Sequence, residues 1–165
     1  MKTVTLAAAF AALAAPAFAE SHEMTFQGDA AAGEEQFNRQ CVACHVVQDT
    51  ETDEILAGRN GQVGPNLYGL AGRTMGSVEG FSYSDALAQM GENGEIWTEE
   101  AFVGYVQDPT GWLREELDDR RARGKMAYKV RSEEDALNLY AFLATFAPNT
   151  EALMGEGEGD AEGDS

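Results

Sequence analysis

Cys41-Val42-Ala43-Cys44-His45 places two thiols and an imidazole within five residues, in the order that attaches a c-type haem. Each thiol can add across a vinyl group of the ring as a thioether. The adjacent imidazole then falls below the ring, where it can bind iron. Two intervening residues on one helical turn bring both sulfurs to the same ring edge. Rival chemistries fit less well. A thioredoxin-type redox pair belongs near a strand-helix-strand pattern, which this sequence lacks. A structural zinc site needs four ligands. The only cysteines and histidines are Cys41, Cys44, His22 and His45, and His22 lies in a polar N-terminal stretch.

The elements that would position this motif read as helices, and no convincing strand pattern appears, so the expected fold class is all-α. A first helix should start at an Asp29 cap and run through Gly33, Phe37 and Cys41, a one-face series at steps of four. Residues 46–81 are then rich in turn formers, among them Gly58, Gly61, Gly64, Pro65, Asn66, Gly69 and Gly72. Such a long irregular stretch is unusual in a compact domain unless it wraps something, and a haem would be that something. Short helices are expected at Ser84 to Met90 and from a Thr98 cap to about Gln107, with Pro109 as the stop. Thr110 to Leu117 could form another. Ser132 should cap the last helix, with Asp135 in capping-box position, an apolar stripe of Leu137, Tyr140, Ala141 and Phe146, and Pro148 as the stop.

The chain opens as a secretory leader. Lys2 is followed by an apolar, Ala-rich run to Ala15 and by Ala17-Phe18-Ala19 as a small-x-small cleavage site, so residues 1–19 are expected to be removed. That run is too short to span a bilayer, which takes about 20 apolar residues. Residues 20–148 then form one domain, and export would place it in a bacterial periplasm. Residues 149–165 form an acidic, Gly-rich tail expected to be disordered. The formal charge of −18 becomes −19 without the leader, which carries Lys2 and no acid. This balance argues against nucleic acid or an anionic membrane as partner, and no stable membrane insertion is expected. Between Arg114 and Arg131 the sign reverses: seven bases (Arg114, Arg120, Arg121, Arg123, Lys125, Lys129, Arg131) against four acids give a local +3. Such a patch on an acidic protein suits a docking surface, although a solvated helix face with its loop would look the same.

A haem carries electrons or catalyses according to what occupies the other face of its iron. The candidates are Met24, Met75, Met90, Met126, Met154 and His22. A thioether favours the ferrous state, raises the potential and blocks small ligands. Spacing alone does not choose among them.

The chain resembles the class I cytochromes c, most closely the bacterial cytochrome c2 and c-550 group, over about Gly28 to Phe146. The matching stretches are GDAAAGEEQFNRQCVACH, GPNLYGLAGR, GFSYSDAL, EIWTEEAFVGYVQDP, GKMAYKV and EEDALNLYAFL, in the family's order. The resemblance implies a cytochrome c fold, helices and loops wrapped round one haem c bound covalently through Cys41 and Cys44. It implies His45 and Met126 as the axial ligands, with the Pro65 carbonyl accepting a hydrogen bond from the imidazole. Tyr83 and Trp97 match residues that bond the haem propionates, Arg73 matches a nearby base, and Tyr105 an aromatic beside the axial sulfur. Gly33 and Phe37 should cross the last helix near Phe142. Without the resemblance these would read as a turn former, core aromatics and a surface charge. Two positions depart from the pattern: Gly124, where many members have threonine, and Leu87, where many have asparagine.

The implied function is that of a monomeric, soluble periplasmic carrier, not an enzyme. It would take single electrons from a quinol:cytochrome c oxidoreductase (bc1 complex) to cytochrome c oxidase or another periplasmic acceptor. Its contacts with these redox partners would be transient, steered by Arg121, Arg123, Lys125 and Lys129. The rivals are an open-iron enzyme or gas binder, and a haem subunit held permanently by a dehydrogenase.

Overall fold

In the computed structural model, which describes residues 26–148, every helix begins where a short polar side chain accepts from its open N–H groups. Asp29 caps α1 (Ala30–Gln40) and Ser84 caps α2 (Asp85–Glu92). Thr98 caps α3 (Glu99–Gln107), Asp108 caps α4 (Pro109–Glu116), and Ser132 caps α5 (Glu133–Ala144). Each cap is worth about 1 kcal/mol, and each is set by local sequence alone. The leader and the acidic tail lie outside the described residues, as do Met24, Met154 and His22.

Three expectations about these elements need correction. Pro109 opens α4 rather than merely closing α3, because at the first helical position its missing N–H costs nothing. Helix α5 ends at Ala144, so Phe146 lies beyond it and Pro148 is not its stop. The inward face of α5 is Ala136, Leu139, Tyr140, Leu143 and Ala144, each at most 2% exposed, while Leu137 is only half-buried. Of the expected stripe, Tyr140 and Ala141 are buried, whereas Leu137 is not and Phe146 lies outside the helix.

A strand pair was not expected, and one exists. Val46–Gln48 (β1) pairs antiparallel with Ile55–Gly58 (β2), Val46 opposite Gly58 and Val47 opposite Ala57, with an irregularity after Val47. The turn is held by Asp49, whose Oδ1 accepts from the N–H groups of Glu51 (2.7 Å) and Thr52 (3.0 Å). Strands of three and four residues are too short to show a period of two.

The scaffold is set by α1 crossing α5. A Cβ at Gly33 would strike the Asn138 carbonyl, so only glycine lets the two backbones approach this closely. Phe37 is fully buried there, its ring 5.5 Å from that of Phe142. A second cross-link runs through Tyr140, whose hydroxyl donates to the Trp97 carbonyl (2.9 Å). Trp97 in turn donates its N–H to the Arg73 carbonyl (2.9 Å), which brings two distant loops side by side. The elements do not close on one another. They surround a cavity of about 520 Å³.

Candidate haem site

The motif enters the cavity from the end of α1. Cys41 still bonds back to Phe37 (2.9 Å), and the N–H groups of Cys44 (3.0 Å) and His45 (2.9 Å) both reach the Cys41 carbonyl. This turn brings both cysteines to one wall of the cavity as free thiols. Burial, and then the neighbouring Cys44, push the Cys41 thiol up to about 11.

His45 is seated from below. Its Nδ1 lies 2.9 Å from the Pro65 carbonyl, so Nδ1–H donates and the Nε2 lone pair is left free. Gly64 lies so close that a Cβ there would sit 2.5 Å from Nδ1 and 2.7 Å from Nε2. Burial lowers the histidine pKa and the Pro65 bond only partly opposes this, so the ring stays neutral and able to bind metal. Asn66 braces the loop by accepting from Gln48 N–H (3.0 Å) and donating to the Gln48 carbonyl (2.7 Å).

Met126 is half-buried and lines the same cavity, as do Pro65, Arg73, Tyr83, Trp97 and Tyr105. The structure thus brings together every residue that the sequence pointed to as a haem contact. Burial raises both tyrosine hydroxyls, Tyr105 to about 12, and Arg73 partly offsets the shift at Tyr83. Both remain donors. Trp97 packs edge-on against Tyr105, with ring centroids 5.1 Å apart.

Arg73 shows what the cavity is built to receive. Its Nη1 donates to the Tyr68 carbonyl (2.6 Å) and its Nη2 to the Asn66 carbonyl (3.1 Å). Its Nε–H is buried without a partner, and no carboxylate lies within ion-pair distance among the described residues. A buried, half-satisfied guanidinium beside an apolar cavity calls for an anion. A carboxylate-bearing planar ring meets that need, and the volume lies within the range of cofactor sites. The donor set fits a haem.

The four expected docking bases do not form one free patch. Lys125 Nζ donates to the Ser82 carbonyl (2.7 Å) and hydroxyl (3.0 Å). Lys129 is paired with Asp108 (2.8 Å). Arg123 turns its guanidinium onto nearby backbone carbonyls, and Arg121 stands in solvent with only a loose contact to Asp119 (3.6 Å). The two departures are absorbed. Gly124 N–H donates to the Thr110 hydroxyl (3.1 Å), and Leu87 is a buried wall of the cavity. Gln40, Ser82 and Tyr128 also line or bound the cavity, and the sequence did not single them out. The one available sign was the alternation Met126, Tyr128, Val130 in an extended segment.

Fold and site together define a monohaem c-type cytochrome, with the haem attached at Cys41 and Cys44. No family model matches the chain. Among curated proteins it is 58% identical over 124 residues to cytochrome c2 of Rhodovulum adriaticum, covering 75% of this chain and 97% of that protein. It is 40% identical over 155 residues to cytochrome c-550 of Paracoccus denitrificans, covering 93% and 91%. The crystal structure of cytochrome c2 from Rhodobacter sphaeroides superposes with a TM-score of 0.69 at 45% identity, covering 73% of this chain and 97% of that one. The chain belongs to the cytochrome c2 family, whose members transfer electrons and are not enzymes.

Proposed function

We propose that this protein shuttles single electrons in the periplasm, from a quinol:cytochrome c oxidoreductase of the bc1 type to a terminal acceptor such as cytochrome c oxidase. The bound haem supplies the one-electron iron couple. The residues of the chain do the rest. Cys41 and Cys44 would tether the ring, and His45 and Met126 would hold its iron. Pro65 fixes the imidazole orientation and makes it more electron-donating. Arg73, Tyr83 and Trp97 hold the propionates, and Tyr105 packs beside the thioether. With His45 and Met126 both holding the iron, little would need to rearrange when charge moves, and small ligands would be kept out.

The observation that carries this reading is His45, braced through Nδ1 by the Pro65 carbonyl, in a cavity that Met126 also lines. A visible spectrum with redox titration of the holoprotein tests it. The ferric form should show the far-red band of an iron–thioether bond, and Met126→Ala should abolish that band, lower the potential and admit carbon monoxide. A wild-type spectrum in the variant would mean another ligand.

Docking is assigned to the rim around Arg121, Arg123, Lys125 and Lys129. Lys125 keeps its full charge because Ser82 is neutral, whereas Asp108 offsets Lys129. Charge reversal at Lys125 or Arg123 should therefore slow reduction by an acidic partner more than reversal at Lys129. All these rates should fall as salt rises. Rates indifferent to both salt and reversal would remove steering.

A further inference from the structure

The Met126 loop is anchored at its ends by Gly124 N–H on Thr110 (3.1 Å) and Val130 N–H on the Val106 carbonyl (2.9 Å). Between these anchors, residues 125–129 make no backbone-to-backbone hydrogen bond among the described residues. Side chains supply the hold instead: Lys129 pairs with Asp108 near the far anchor (2.8 Å), and two others reach across the cavity, one on each side of the methionine. Lys125, just before it, reaches Ser82, the neighbour of Tyr83. Tyr128, two residues after it, bonds through its hydroxyl to Oε1 of Gln40, the neighbour of Cys41. Tyr128 is 42% exposed, yet it lines the cavity together with Gln40 and Lys125. Both side chains therefore fold back over the cavity and reach two separate segments of its rim.

We propose that Lys125 and Tyr128 are positioning residues, two straps to Ser82 and Gln40 that hold the Met126 loop shut over the haem and set how readily an outside ligand displaces the thioether. The inference rests on Met126 being that ligand. It also gives Lys125 a task inside the protein, beyond docking. The Tyr128 strap needs the hydroxyl, so a phenylalanine that keeps the ring should lose it.

The test is an imidazole titration of the ferric holoprotein, followed by loss of the far-red iron–thioether band. Tyr128→Phe should raise the apparent imidazole affinity about fivefold, the worth of one net hydrogen bond, and Lys125→Met about tenfold, because its donor is charged. Adding Gln40→Leu to Tyr128→Phe should change nothing further, since the two share one bond. Combining Tyr128→Phe with Lys125→Met should multiply the effects, since the straps are separate. Ser132→Ala, which removes the α5 cap, should lower the melting temperature and leave the affinity within about twofold. Strap variants indistinguishable from a wild type that shows the band would overturn the straps alone, as would an equal rise in Ser132→Ala. A wild type without the band would overturn the Met126 ligand, and this inference with it.

Discussion

A single methyl group at Gly64 tests the seat of the axial imidazole. Its Cβ would stand 2.5 Å from Nδ1 and 2.7 Å from Nε2 of His45, where ordinary contact begins near 3.4 Å. The ring or the loop must retreat by about 1 Å, which stretches the 2.9 Å bond to Pro65 past hydrogen-bonding range. Overpacking of this kind costs about 1–3 kcal/mol and the lost bond about 1 kcal/mol more. The sum, about 2–4 kcal/mol, corresponds to a melting point lower by about 6–20 °C in a domain of this size. The potential should move as well. An imidazole that no longer donates to the carbonyl is a poorer electron donor, so the ferric state loses stabilisation and the potential rises. The rise is capped at about 40 mV if the whole worth of the bond acts on one oxidation state, taking 59 mV per tenfold for one electron. Thermal unfolding of holo Gly64→Ala by circular dichroism, with a redox titration, reads both effects. Wild-type melting together with a wild-type potential would refute the seating of His45 on Gly64 and Pro65.

Two further outcomes follow from bonds outside the ring's immediate contacts. Tyr140→Phe should cost only about 1 kcal/mol and leave the visible spectrum unchanged, because the Trp97 carbonyl still accepts from Gly72 N–H (2.9 Å); a loss of several kcal/mol in chemical denaturation would contradict this. Lys129 and the Gly111 N–H hold the Asp108 carboxyl below its ordinary range. A depressed folded pKa contributes stability above the unfolded pKa and loses it as pH falls through the folded value. Asp108→Asn, which keeps an N-cap, should therefore melt below wild type at pH 7, and the gap should close in acid below about pH 4. A gap independent of pH would show that the charge has no part in it.

Much of the site was legible because its chemistry is local. Asp29, Thr98 and Ser132 cap the helices they were expected to cap, and Ser84, expected as the first residue of its helix, caps it instead, since a cap depends on a side chain and an N–H two or three residues away. The β1–β2 pair escaped notice because its strands are shorter than the period that would reveal them. The α5 stripe was read correctly at Tyr140 and Ala141 and wrongly at Leu137, which is as apolar as the residues that face inward. The bonds that Lys125 makes to Ser82 and Lys129 to Asp108 were not foreseen, because nothing near the lysines in sequence announces those partners.

By itself the sequence determined the covalent chemistry: two thiols and an imidazole at fixed spacing can be read without knowing where the rest of the chain goes. Tertiary structure alone decided which distant residues meet at the rim of the cavity. Lys125 meets Ser82 across 43 residues and Tyr128 meets Gln40 across 88. Contacts of that span leave no periodic trace in the chain, because the whole fold, not any local spacing, decides which residues meet.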